Sequence, residues 1–99
     1  MFDQMLGRFA DMQQRMEETK NKLEQIVVEG SSPSGLVNVE ATASRKIKSI
    51  NINPTFLSSA DKEELEDHLI MALNEALQQA ENTWEKEMKN AAGNIFPGL

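Results

Sequence analysis

Hydrophobic and polar positions follow three successive rhythms along the chain. Between residues 4 and 25, Met5, Phe9, Met12, Met16, Thr19 and Leu23 recur at spacings of 4, 3, 4, 3 and 4. That is a heptad seam with one polar member, and it predicts a first helix over about 4–25. Gln13, Gln14, Glu17, Glu18, Lys20 and Lys22 fill the opposite face. Gly7 weakens the start of this helix by about 1 kcal/mol relative to alanine.

The rhythm then changes to a period of two. Ile26, Val27 and Val28 are β-branched and predict a short first strand over about 26–30. Ser31-Ser32-Pro33-Ser34-Gly35 reads as a loop. Val37, Val39 and Ala41 alternate with Asn38, Glu40 and Thr42, which predicts a second strand over about 36–42. Ile50 and Ile52 alternate with Ser49, Asn51 and Asn53, which predicts a third over about 46–53. Each alternation places one set of side chains on one face of a sheet and the other set on the opposite face. The link Ala43-Ser44-Arg45-Lys46 lacks the Asn-Gly or Asp-Gly of a tight hairpin, so a loop of four or five residues is expected. Pro54 has no N–H to give to a ladder and ends the third strand.

Helical spacing returns after Ser58. Asp61 with Glu64 forms a capping box, with Ser58 and Ser59 as alternative caps. Leu65, Leu69, Ile70, Leu73, Ala76, Leu77, Ala80, Trp84 and Met88 form one stripe, predicting a last helix over about 60–92. Gly93 reads as its C-terminal stop, and 93–99 as a mobile tail. The reading is one α+β domain, residues 1–99, in the order α-β-β-β-α. A small antiparallel three-stranded sheet is flanked by two long helices.

Element lengths carry an expectation about assembly. Residues 61–92 as a helix span about 48 Å, whereas a six-residue strand spans about 20 Å. The last helix overhangs its sheet, and the overhang still carries Ala80, Trp84 and Met88. The first helix has its own seam. The expected partner is a second copy about a two-fold axis, giving an intertwined homodimer. Met5, Phe9, Met12, Met16, Leu73, Trp84 and Met88 are the residues expected to pack it.

Composition narrows function. The formal net charge is -6, unevenly spread. Residues 1–29 carry four basic and six acidic groups, residues 30–60 three basic and one acidic, and residues 61–99 three basic and nine acidic. Only the hairpin region is net positive. With one histidine, no cysteine and no tyrosine, and with no phosphate-cradling glycine loop or metal spacing, an enzyme has little to work with. No catalytic residue, metal, cofactor or small-molecule substrate is assigned. His68 reads as a surface histidine beside carboxylates rather than a general base or ligand. Glu63, Glu64, Glu66 and Asp67 read as a solvated helix face, not a cation site. The N-terminus, with Asp3 and no continuous apolar run, does not read as a signal peptide. No window is apolar enough to span a membrane. A soluble, cytoplasmic protein is expected.

Arg45, Lys46 and Lys48 are the candidates for contact with DNA phosphates, and two copies would double the patch. Arg8, Arg15, Lys20 and Lys22 on the first helix are weaker candidates. The rival reading of these cations is a solvated turn guarded by edge lysines. The methionines could line an adaptable groove, and Trp84 could stack bases, although helix packing explains both. A protein-interaction adaptor is the alternative function, using the Met-rich helix, the Trp84 region or the Ile95-Phe96 tail.

The order and spacing of several pieces together resemble the YbaB/EbfC family of nucleoid-associated proteins over nearly the whole chain. The pieces are Met1-Phe2, the Gln/Met-rich ADMQQRMEETKNKLEQIVVEG, then GLVNVEA and KIKSININP, and last DKEELEDHLIMALNEAL with its Leu65-Glu66-Asp67 and Ala72-x-Asn74-x-Ala76. The resemblance implies a tweezer-like homodimer, non-enzymatic and sequence-tolerant binding of double-stranded DNA, and a place on the bacterial nucleoid. Two features depart from the family pattern. Ala43-Ser44-Arg45-Lys46 stands where members usually carry a glycine-containing turn, and Gln78 and Gln79 stand where many carry basic residues.

Overall fold

The computed structural model describes residues 2–95. The chain runs α1 (Phe2–Gln25), β1 (Val27–Ser31), a 3-10 turn (Pro33–Gly35), β2 (Val37–Thr42), β3 (Ile47–Ile52), α2 (Pro54–Ser59) and α3 (Lys62–Ile95). The sheet order is β1-β2-β3, and both pairings are antiparallel. The fold is α+β with a small open sheet, as the change of period predicts.

Alternation sets the faces of the sheet. Val37, Val39 and Ala41 are fully buried, while Asn38 is exposed between them. They point at α3, which lies mainly across β1 and β2. The covering face of α3 is made of small residues, Ala72, Ala76 and Ala80, all fully buried. Small residues let the helix sit close to the sheet, and Gly30 on β1 completes the fit. A Cβ on Gly30 would collide with the backbone of Ala72 and Ala76. Phe56 closes the core from α2, and Leu65, Leu69 and Leu73 pack around its edge.

The ends of α2 and α3 follow capping chemistry. Asp61 accepts the Glu64 N–H at 2.8 Å and starts α3. Asn53 accepts the Phe56 N–H at 3.0 Å, and Pro54 occupies the first turn of α2. Pro54 therefore starts a helix as well as ending a strand. Asn-Pro at these two positions is a helix-start signal, since an orphan N–H is satisfied by Asn and none is lost at Pro.

Three other expectations are corrected. Gly93 does not stop α3, which continues to Ile95. Glycine permits a left-handed terminus without compelling one, and Gly93 keeps no such backbone angle. The expected tail is therefore helical through Ile95, and residues 96–99 lie outside the described residues. His68 is not a surface histidine. Its Nδ1 hydrogen-bonds the buried Ser32 Oγ at 2.8 Å, and its ring meets Phe56 at 4.7 Å between centroids. Ser32 Oγ also accepts the Val37 N–H, so the set ties α3 to the β1–β2 link.

The third correction concerns the two rods. α1 folds back antiparallel along the C-terminal half of α3. Lys22 pairs with Glu87 at 2.9 Å, while Arg15 and Thr19 share a groove with Ala91. Leu23 is fully buried, so the helices partly satisfy each other within one chain. The coverage is incomplete: Met5 is 71% exposed, and Phe9, Met16, Ile70, Leu77 and Trp84 also remain exposed. The described chain extends 69 × 21 × 16 Å.

Candidate nucleic-acid interface

The link from β2 to β3 sits at the junction of sheet and helices. Four residues, Ala43–Lys46, separate the strands. Thr42 donates its N–H to the Lys46 carbonyl at 2.8 Å, and Arg45 donates its N–H to the Thr42 carbonyl at 2.9 Å. The Thr42 and Ser44 hydroxyls bond at 2.7 Å. Arg45 takes φ 71°, the left-handed conformation that a short hairpin closure normally gives to glycine.

This turn does not project as a free finger. Ala43 is fully buried, and its N–H bonds the Ile26 carbonyl at 2.9 Å, which carries the β1–β2 pairing one step into the turn. The Arg45 guanidinium lies over the Trp84 ring, 5.7 Å from its centroid. Lys46 Nζ stands 3.8 Å from a Glu24 oxygen, with 74% of the lysine side chain exposed. An exposed pair at that distance contributes little and leaves the cation available. Lys20, Leu23, Glu24, Ser44, Arg45, Lys46 and Trp84 line one groove of about 410 Å³.

The predicted cations thus fall into separate places. Lys20 of α1 joins Arg45 and Lys46, although 25 residues separate it from Arg45 in the chain. Lys48 is exposed on β3, where the register with β2 shifts: Glu40 faces Ser49 and Ala41 faces Ile47, which leaves Lys48 as the extra residue. Arg15 and Lys22 line a second groove between α1 and α3, with Lys22 held by Glu87. Arg8 is exposed further along α1. Of the apolar candidates, Met12, Leu73 and Met88 are half-buried, while Met5, Phe9, Met16 and Trp84 are exposed.

The acids that crowd the start of α3 lie far from this groove. Asp67 lies 17 positions before Trp84 on the same helix, about 25 Å away along its axis. That is beyond the screening length of about 8 Å at physiological salt. The acids at the start of α3 therefore do little at the groove; the nearer carboxylates are Glu24 on its wall and Glu81, Glu85 and Glu87 within a turn of Trp84 on α3.

Among the described residues, no group of three or more His, Asp or Glu is placed to hold a metal ion. No described helix is long and apolar enough to cross a membrane.

Comparison with known proteins finds a matching family, related sequences and a shared fold. The profile of the YbaB/EbfC DNA-binding family matches residues 1–95. A nucleoid-associated protein of Flavobacterium johnsoniae is 36% identical over 95 residues, covering 96% of this chain and 88% of that protein. One of Afipia carboxidovorans is 35% identical over 96 residues, covering 96% and 91%. The crystal structure of an uncharacterized Helicobacter pylori protein superposes with a TM-score of 0.75 over 96% of both chains, at 24% identity, and so shares the fold.

Proposed function

The chain belongs to the YbaB/EbfC DNA-binding family, and from that premise we propose that it binds double-stranded DNA as a homodimer, through phosphates and without enzymatic chemistry. The observation that carries this reading is the convergence of Lys20, Arg45 and Lys46 on one groove. These cations come from a turn and a helix end. Phosphate contacts of this kind fix position on a duplex and carry little sequence information, so binding is tolerant of sequence. Lys48, exposed at the irregularity of β3, is a further phosphate contact, and Arg8, Arg15 and Lys22 give a second line of contact along α1. The place of action is the nucleoid, as the names of the relatives suggest.

The homodimer rests on an uncovered apolar face. Ile50 pairs with Val39 and shares its side of the sheet, yet is 47% exposed because α3 stops short of β3. Ile47 beside it is also exposed. On α3, Ile70, Leu77 and Trp84 recur every seven residues on one stripe. Trp84 touches Arg45 of the β2–β3 turn, so this stripe looks toward the β3 side. β3 is also an edge strand with unpaired backbone groups. A second copy on a two-fold axis would cover the strand together with Ile70 and Leu77, leaving the groove at Trp84 open.

A gel-shift titration of duplex DNA at two salt concentrations tests the reading. Binding is expected at low salt and weakens as salt rises. Charge reversal of Arg45 and Lys46 together should weaken binding at least tenfold and lower the salt slope by about one per lost contact. No shift by the unaltered protein at low salt would overturn it.

The exposed seam of α1 favours a second reading. Met5, Leu6 and Phe9 present a flexible apolar strip of the kind that docks on partner proteins. Recovery of one stoichiometric protein partner after nuclease treatment, with no DNA shift, would put this adaptor role first.

A further inference from the structure

We propose that Trp84 is a positioning residue for DNA binding: its indole face holds the Arg45 guanidinium in place and so orients that cation toward a phosphate. The proposal rests on the DNA-binding reading above and adds a residue that carries no charge and makes no phosphate contact itself.

Three observations converge on it. First, Arg45 sits at φ 71°, where a Cβ is unfavourable and glycine is the easy residue. The chain keeps a long cationic side chain there, and a local strain of that kind points to a use. Second, the guanidinium has a defined place, 5.7 Å from the Trp84 centroid. A cation over a ring face is held by the ring quadrupole, while its planar N–H donors are not consumed as they are in an ion pair. Lys22 shows the contrast, because its ammonium donates to a Glu87 carboxylate oxygen at 2.9 Å. Third, Trp84 is 38% exposed on a groove wall that also carries Lys20 and Lys46. The ring thus lies inside the cationic site rather than behind it.

An unheld arginine on a turn must lose its rotamer freedom when it meets a phosphate. Stacking on Trp84 removes part of that loss before binding. Trp84 therefore acts through Arg45, and the two must not behave independently.

The test is a double-mutant cycle on the full-length protein, with affinity for a fluorescein-labelled duplex measured by anisotropy at low salt. Trp84→Leu should weaken binding about two- to fivefold, the range of an exposed cation–π contact. Arg45→Ala should weaken it more. The double variant should be no weaker than Arg45→Ala alone, and Trp84→Phe should recover most of the loss. Trp84 is the sole tryptophan, so Arg45→Ala should also shift its emission without DNA. Additive losses, or Trp84→Phe as weak as Trp84→Leu, would overturn the positioning role while leaving DNA binding intact. Absence of binding by the unaltered protein would overturn the DNA reading and this proposal together. Melting curves on each variant identify any loss that comes from unfolding, and Trp84→Phe decides the question where Trp84→Leu does not fold.

Discussion

β2 and β3 carry nearly the same alternation and meet opposite fates. Val37, Val39 and Ala41 on β2 are fully buried, whereas Ile47 and Ile50, opposite Ala41 and Val39 on β3, are exposed. The residues opposite one another share a face of the sheet, so period alone does not separate them. What separates them is the width of α3, about 10 Å with its side chains. Strands lie about 4.8 Å apart, so one helix covers roughly two strands and leaves the third bare. Periodicity thus tells which face a residue takes, and the count of covering elements tells whether that face is dry.

Aspartate placed on each strand in turn gives the largest contrast. Val39→Asp buries an unpaired charge and should cost about 3–5 kcal/mol. Total stability for a domain of this size is about 5–15 kcal/mol. Cooperative thermal unfolding should be lost or shifted far downward in circular dichroism. Ile50→Asp should leave helix content nearly unchanged and convert the sedimenting species from dimer to monomer. In the unaltered protein the melting temperature should rise with protein concentration, as linkage to association requires. A folded Val39→Asp would contradict the burial, and a dimeric Ile50→Asp would remove β3 from the interface.

Next in size is a change that moves the cover itself. Gly30 lets α3 approach β1 until backbone nearly meets backbone. Gly30→Ala forces the helix outward and should destabilise by about 3 kcal/mol, the upper part of the overpacking range. A melt within 1 °C of the unaltered protein would mean that the helix already rides higher than described.

Much of this architecture was legible from residue order. The strand faces followed from alternation, and Asp61 with Glu64 marked the start of α3 correctly. The stripe on α3 is legible only in part, because Ala72 is fully buried yet carries little hydrophobic signal beside Leu65, Leu69 and Leu73. α2 was hidden for a different reason. Asn53-Pro54 carries both a strand stop and a helix start, and a six-residue helix shows too little period to decide between them. His68 and Ser32 meet across 36 residues, a contact no local pattern encodes. The candidate site divides the same way. Arg45, Lys46 and Lys48 stand together in the chain and were readable as a group. That Lys20 joins Arg45 and Lys46 depends on α1 folding back along α3. That Arg45 rests on Trp84 depends on a left-handed turn that the residue type argues against.

The smallest effect is expected on the outer face of the same two strands. There Glu40 on β2 stands opposite Ser49 on β3, and the Ser49 hydroxyl donates to a Glu40 carboxylate oxygen at 2.9 Å. Among the described residues no helix lies over this face, so the two strands should respond alike where on the inner face they respond differently. Cross-strand polar pairs of this kind contribute about 0.2–1 kcal/mol. Glu40→Ala and Ser49→Ala should therefore each cost about 0.5 kcal/mol in urea melts, and the double variant little more than either alone. The comparison is sensitive because it holds the strands constant and changes only the face. A clearly larger loss at Glu40, or an effect of Ser49→Ala on the dimer, would mean that something also packs on the outer face. The asymmetry between β2 and β3 would then need more than the reach of a single helix.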